Sequence, residues 1–321
     1  MTVARQTVFV ETAARLHFGI LDLGGSLGRR FGGIGAAAPG PTLLVSATPA
    51  ETLEVTGADA DRAADFARRF FSHYEIPDGA TVHVSRTLPA HAGLGSGTQL
   101  ALAIGRALSK LHGVDADAST LARAVDRTRR SAIGTWTFAA GGLVVEGGHR
   151  VDGYDWDVAP LLVRMPLPSE WRCVVAIPNH EAAINGAAET AAFEALPKPS
   201  DGDAERVSHL VLMGLLPAVA EADLKAFGCA LTALQSIVGR WFEPVQGGIF
   251  APGRSEELVR RMAEWGATGV GQSSWGPTVY GIVLGEEAGA RLADKVRGLL
   301  GGAGVVYEGP FRNESALCWS A

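Results

Sequence analysis

Two periodicities divide the chain. In "TVHVSRTL" (81–88), Val82, Val84 and Leu88 fall on one face, and alternation of period two predicts a strand. Directly after it, Leu100, Ile104, Leu108 and Leu111 recur at helical spacing, and Gly113 marks the stop. A second helix is expected over about Ser119–Arg129, with Leu121, Val125 and Thr128 inward. "GGLVVEGG" (141–148) reads as a strand between glycine turns, and "RCVVAI" (172–177) as a buried strand, since it is apolar without alternation. Residues 179–205 read as a partly helical, mobile excursion. Two helices follow, one with Val207, Leu210, Val211, Leu215 and Val219 on a face, the other with Phe227, Leu231, Leu234 and Val238. A third begins near Ser255, with Glu256 and Glu257 favouring its positive end, and stops at Gly266. "TVYGIVLG" (278–285) is a strand, Leu292–Leu300 a helix and "GVVYEG" (304–309) a final strand. The chain changes character around Pro166 and Pro168. Strands and helices alternate without the parallel beat of a doubly wound sheet, so two α+β domains are expected, 1–165 and 166–321, with no internal repeat.

Composition narrows the classes. Of 321 residues, 47% are hydrophobic and 19% charged, which fits a folded core and not a disordered chain. The net charge is −6 and no Lys/Arg run occurs, so nucleic acid is not an expected partner. An acidic protein that handles anions must gather its positive groups locally. The cysteines (Cys173, Cys229, Cys318) are scattered and show no CxxC spacing, which fits reduced thiols and a cytoplasmic location. The histidines form no HxxxH or HxH pattern, so no zinc site is expected. Residues 31–50 carry no charge, but their glycines and prolines make a poor membrane span, and no apolar signal core follows Arg5. No membrane association is expected.

"PAHAGLGSGTQLALAIGRAL" (89–108) carries the chemistry. It places a glycine-rich turn between a strand and a helix N-terminus, the right context for an anion. Glycine permits the unusual φ angles and the close approach that let backbone N–H groups cradle phosphate. The candidate cradle is Gly93, Leu94, Gly95, Ser96, Gly97, Thr98 and Gln99, and Ser96 and Thr98 add hydroxyl donors. Two or three such bonds to a charged oxygen, each worth about 1.5–3 kcal/mol, hold phosphate without a lysine. The plainer alternative is a connector in which glycine lets the helix pack closely.

This stretch resembles the second signature of the GHMP kinase superfamily, whose glycine loop binds ATP phosphates. "ARLHFGILDL" (14–23) with "GGIGAAA" (32–38) lies where the family's first motif lies, and "GVGQSSWGPTVYGIV" (269–283) resembles its third. The resemblance implies a ribosomal-protein-S5-like N-terminal domain and a ferredoxin-like C-terminal domain. One departure stands out. Kinases of this superfamily commonly carry an S-G-x-D-N-like motif ahead of a Gly-Gly pair. Here, in "SAIGTWTFAAGG" (131–142), the acidic position is Gly134 and the next is Thr135. Glycine neither accepts a proton nor steers a metal.

"RLHFGILDL", "GGIG", "GLGSGTQ", "RRSAIG…F…GG" and "PVQGGIF" (244–250) resemble one branch, the β-ribofuranosylaminobenzene 5′-phosphate synthases. That resemblance implies condensation of phosphoribosyl pyrophosphate with 4-aminobenzoate or a close aryl carboxylic acid. The products are a β-C-riboside 5′-phosphate, CO2 and pyrophosphate, on the way to tetrahydromethanopterin. It also implies Mg2+ on the phosphates and a homodimer. The implied catalytic residues are His17, Asp22, Arg129 and Arg130, the arginines suiting a substrate carboxylate or phosphate. Ser273, Ser274 and Gly276 would complete the phosphate cradle, while Arg15, Ser131 and Gln246 would touch substrate. The metal ligands are not readable; Asp22 and Glu146 are weak candidates that also suit structural charges. His17 equally suits a satisfied core histidine, and Trp136, Phe138 and Trp275 are candidates to flank an aromatic acceptor. An ATP-dependent small-molecule kinase and a non-catalytic phosphometabolite binder are the alternatives.

Overall fold

A computed structural model describes residues 6–128, 131–152, 157–179, 191–193 and 195–321. Two long strands open the chain, β1 (Val8–Asp22) and β2 (Arg29–Pro49), paired antiparallel with bulges between Ala13 and Arg15 and between His17 and Gly19. Strands β3 (Glu54–Gly57) and β4 (Ala80–Arg86) follow, the latter against the far half of β2. Helix α1 (Ala60–Tyr74) lies between them. Helices α2 (Ser96–His112), α3 (Ala118–Ala124) and α4 (Ile133–Ala140) precede β5 (Leu143–Glu146), β6 (His149–Arg150) and β7 (Leu161–Met165). The near half of β2 pairs with β5, and β5 with β7.

The second sheet begins with β8 (Trp171–Pro178). Helix α5 (Asp201–Leu210) continues through a π-helical segment (Val211–Leu215) into α6 (Leu216–Ala220), and α7 (Leu224–Gln246) follows. Next come α8 (Arg254–Glu264), β9 (Gly269–Gln272), β10 (Val279–Leu284), α9 (Glu286–Leu300) and β11 (Gly304–Pro310). The sheet order is β11-β8-β10-β9, all antiparallel, which is the ferredoxin-like order. Strand β8 is buried on both faces. Cys173, Val175 and Ile177 join the large core with Phe227 and Leu231 of α7, while Val174 and Ala176 pack with Leu258, Met262 and Val296 of α8 and α9. That two-sided burial is why its sequence does not alternate.

Several expectations need correction. The helix expected to Arg129 ends at Ala124, and the last helix starts at Glu286, earlier than Leu292. Nor does the chain end in the second sheet: β12 (Leu317–Ser320) returns to pair with β1 and forms an edge of the first. The two sheets therefore part between Met165 and Trp171, and the chain crosses back after Pro310. No helix among the described residues is long and apolar enough to cross a membrane.

Candidate active site

The glycine turn has the geometry its composition suggests. Gly93 and Gly95 both hold φ near 73°, where side chains are rarely tolerated. A Cβ on Gly93 would run into the Ser273 carbonyl, and one on Gly95 would lie 2.8 Å from Arg15 Cγ. Helix α2 starts at Ser96 with no side-chain cap. The Gln99 N–H bonds the Gly95 carbonyl at 3.0 Å, so the amides of Ser96, Gly97 and Thr98 precede the first bond of the helix. They point out of its positive end, which favours an anion.

Three arginines converge on this turn. A Cβ on Gly97 would lie 3.0 Å from Arg127 Nη2 and 3.5 Å from Arg62 Nη2, and the Arg15 side chain runs past Gly95. Arg15 also donates to the Gly93 carbonyl. Arg62 pairs with Asp59 at 3.4 Å, and the Arg127 guanidinium sits over the Phe66 ring. The acidic chain thus gathers positive charge where the helix dipole already adds to it. Arg62 and Arg127 come from α1 and from the segment after α3, far from the motif. Their only signal in the sequence is the need of an acidic anion binder for local cations.

The three glycine-rich motifs meet through one hydroxyl. Ser273 Oγ donates to the Gly93 carbonyl at 2.6 Å and accepts from the His17 N–H at 2.9 Å. The Ser274 N–H bonds the His17 carbonyl at 3.3 Å. Ser273 is fully buried, so its hydroxyl holds the cradle together. Gly276, at φ 71°, closes the turn by donating to the Ser273 carbonyl at 3.0 Å. Gln99 is equally committed, accepting from Thr12 Oγ at 2.6 Å and donating to the Gly134 carbonyl at 2.9 Å. The Leu94 carbonyl accepts from the Arg15 N–H at 3.1 Å.

A second polar group lies beside the turn. Gly33 and Gly35 of β2 leave bare backbone, and Ile133 at the start of α4 seats over both. His17 flanks this bare strip from β1 and Glu146 from β5. The point where a Gly33 Cβ would sit is 3.3 Å from Glu146 Oε1 and 3.4 Å from His17 Nε2. His17 Nε2 contacts Ser131 Oγ at 3.2 Å. Burial, helped by Arg15, depresses the His17 pKa to about 3, so the imidazole is neutral at pH 7. Glu146 is fully buried; Oε2 accepts from the Gly148 N–H at 2.6 Å and Oε1 has no hydrogen-bond partner among the described residues. Burial raises its pKa to about 7, against weaker pulls downward from the nearby Gly148 and Ala132 amides, Arg29 and the Ser131 hydroxyl.

The remaining expected residues are placed as follows. Asp22 Oδ1 caps its own turn, accepting from the Gly24 and Gly25 N–H groups at 2.6 and 3.0 Å. Gln246 ties the end of α7 to the Gly248 and Ile249 carbonyls and contacts Gln272. Trp136 donates to the Ala159 carbonyl at 2.8 Å, and Phe138 is buried beside an open groove that reaches Cys318, at the opposite end of α2 from the turn. Trp275, next to Ser274, stacks edge-on with Phe242 at 4.5 Å and with Phe193, which in turn meets Phe31. These three phenylalanines, absent from the sequence expectations, make an aromatic wall. Arg129 and Arg130 lie outside the described residues. Among the described residues no group of three His, Cys, Asp or Glu side chains could hold a metal ion.

Gly134 is a packing glycine. A Cβ there would lie 3.1 Å from Thr98 Cγ2, so α4 presses directly against the first turn of α2.

The family "GHMP kinases N terminal domain" matches residues 60–140, and "GHMP kinases C terminal" matches 215–300. A protein of Methanothermobacter thermautotrophicus named beta-ribofuranosylphenol 5′-phosphate synthase is 31% identical, over 97% of this chain and 98% of its own. One of the same name from Archaeoglobus fulgidus is 36% identical over 85% of this chain and 87% of its own. The solved homoserine kinase of Cytophaga hutchinsonii superposes with a TM-score of 0.69 over 99% of both chains at 18% identity, a likeness of fold.

Proposed function

The chain belongs to the beta-ribofuranosylphenol 5′-phosphate synthase family on a GHMP kinase fold, and from that premise we propose a decarboxylating phosphoribosyl transfer. The donor is phosphoribosyl pyrophosphate. The acceptor is an aryl carboxylic acid, 4-aminobenzoate or its 4-hydroxy analogue, and the latter would give the phenol in the relatives' name. The products are a β-C-riboside 5′-phosphate, CO2 and pyrophosphate, of the class that leads to tetrahydromethanopterin.

Breaking the ribose C1–O bond builds negative charge on the departing pyrophosphate. Donors fixed in advance at that charge lower the barrier. The Ser96, Gly97 and Thr98 amides with the Arg15, Arg62 and Arg127 guanidinia form such a set. Mg2+ would enter on the diphosphate as part of the substrate, since Mg2+ needs few protein ligands when phosphates supply the rest. The aromatic wall of Phe31, Phe193, Phe242 and Trp275 offers the acceptor ring an apolar surface.

The observation that carries this reading against phosphoryl transfer is Gly134. At the position where related kinases commonly hold an acidic side chain, this chain has a glycine whose Cβ would press on Thr98 Cγ2 at 3.1 Å. The test is incubation with phosphoribosyl pyrophosphate, Mg2+ and carboxyl-labelled 4-aminobenzoate or 4-hydroxybenzoate. Equal amounts of labelled CO2 and pyrophosphate are expected. No CO2 from either acid, or ATP-dependent phosphorylation of homoserine, galactose or mevalonate, overturns the reading.

A further inference from the structure

Glu146 has no part in the scheme above, and its placement is costly. A buried carboxyl oxygen without a partner is a few kcal/mol less favourable than an apolar replacement. Such groups concentrate where chemistry needs them. Here the carboxyl is held by design. Arg29 donates to the Gly147 and Gly148 carbonyls, both at 2.7 Å, fixing the turn whose Gly148 amide binds Oε2. That leaves Oε1 turned toward the bare strip at Gly33, opposite His17 Nε2. Ser131 is the one member of the group that is not buried; its hydroxyl contacts His17 Nε2 at 3.2 Å and lies near enough to Glu146 to favour the charged carboxylate, without a hydrogen bond to Oε1.

We infer that Glu146, acting through the Ser131 hydroxyl, is the proton store for an acceptor bearing a para hydroxyl. The inference rests on the proposed transfer and adds to it the group that ionises the acceptor. Among the described residues, few charged and titratable groups stand around Glu146. Arg29 comes from β2, neutral His17 from β1 and His149 from β6, while Arg164 of β7 is turned to the Ala140 and Asn313 carbonyls. Burial raises the Glu146 pKa to about 7, close to the working pH at which a carboxylate serves as a base.

The step balances as follows. The para hydroxyl gives its proton to the Ser131 oxygen as the Ser131 hydroxyl, turned from His17 toward Glu146, gives its own to Oε1. The freed electron pair moves through the ring to the carboxyl-bearing carbon, which bonds ribose C1 as pyrophosphate leaves with the C1–O pair. The carboxylate departs as CO2, its C–C pair restores the aromatic ring, and the oxygen becomes anionic. That oxygen then takes the proton back, so no net proton, oxidant or reductant is consumed. A para amino group needs no such loan, because its neutral nitrogen already donates to the ring.

The experiment compares the parent chain with Glu146→Gln on 4-hydroxybenzoate and 4-aminobenzoate, reading CO2 and pyrophosphate from pH 6 to 10. At pH 7 the kcat ratio of hydroxy to amino acceptor should fall by about 100-fold, the lower range of general-base effects. The ratio should recover toward about pH 10, where a phenol ionises unaided. Glu146→Asp should restore part of the ratio. Ser131→Ala should shift the ratio in the same direction, and it decides the matter if Glu146→Gln fails to fold. An equal loss on both acceptors, a pH-independent loss, or a parent chain active on 4-aminobenzoate alone overturns the inference while leaving the proposed transfer standing. No CO2 from either acid overturns both.

Discussion

Gly97 carries no side chain because two guanidinia stand where one would begin. Its φ is ordinary, so Gly97→Val leaves the backbone unstrained and acts by displacing Arg127 and Arg62. Calorimetric titration with phosphoribosyl pyrophosphate and Mg2+ should show Kd raised more than about tenfold, roughly 1.4 kcal/mol. Thermal unfolding should stay cooperative. Ser96→Ala removes one hydroxyl and keeps the amides, and the expected loss is about 1.5 kcal/mol if that hydroxyl meets a charged oxygen. Unchanged binding in Gly97→Val would reduce the turn to a connector. The glycines were legible as a phosphate cradle because φ and close approach are written in the residue type. Arg62 and Arg127 were not, because their approach to the turn is made by tertiary structure.

His17 and Glu146 pull stability in opposite directions with pH. Unfolded, His17 takes up a proton below pH 6.5; folded, it resists down to about 3, so its contribution is lost as pH falls through that window. Glu146 holds its proton up to about pH 7 when folded but only to 4.5 when unfolded, so its contribution is lost as pH rises through that range. Each slope is about 1.4 kcal/mol per pH unit. Between 4.5 and 6.5 they cancel. Urea midpoints of Glu146→Gln should therefore fall from pH 6.5 to 5 more steeply than those of the parent chain, and exceed the parent's at pH 8. Parallel curves for the two proteins would rule this out.

At the scale of elements, the second sheet is docked on the first through a shared apolar core, with Phe18 against Tyr280, and through particular polar contacts. Ser273 joins β1 to the glycine turn, and Gln235 of α7 donates to the Phe18 carbonyl of β1 and accepts from the Gln272 N–H at 2.9 Å. Ser273→Ala leaves the His17 N–H buried and unpaired, and should lower unfolding free energy by about 1–3 kcal/mol. Phosphoribosyl pyrophosphate binding should weaken with it, because the Gly93 carbonyl also loses a donor. A variant that keeps the parent's urea midpoint would show the bridge to be dispensable. Helix α2 was readable because its apolar face keeps one period from Leu100 to Leu108. Helix α1 keeps the same spacing at Ala63, Phe66, Ala67, Phe70 and Phe71, yet escapes the periodicities named at the start. The lengths of β1 and β2 were hidden for a physical reason: their bulges shift the alternation, and Gly33 and Gly35 erase it where the site lies.

Across the whole molecule, the chain passes between the sheets twice, and the two passages touch. The Leu167 N–H and carbonyl both bond the Asn313 side chain, at 2.8 Å each, and Arg164 donates to the Asn313 carbonyl. Asn313→Ala removes both side-chain bonds from a buried backbone position. Hydrogen exchange at the Leu167 amide should quicken at least tenfold, and calorimetric unfolding should broaden as the sheets lose cooperativity. A Leu167 amide as slow as in the parent chain would refute this. Proline-marked change of character made the first passage readable, but the second was invisible, since a four-residue edge strand carries too little pattern to assign it to either sheet.

Those paired passages constrain how the two sheets can move against each other. A single tether lets a lobe swing and twist about any axis, whereas two chain segments clipped side by side behave as a strip. A strip flexes across its width and resists torsion. At Leu167 and Asn313 the strip therefore opposes twisting of one sheet against the other. Ser273 and Gln235 form separate contacts between the two parts, and a shared apolar core, with Phe18 against Tyr280 at 5.1 Å, fills the space between them. The glycine turn belongs to the first part and the Ser273 loop to the second, so a clip that opposes twisting keeps Gly93 and Ser273 in register.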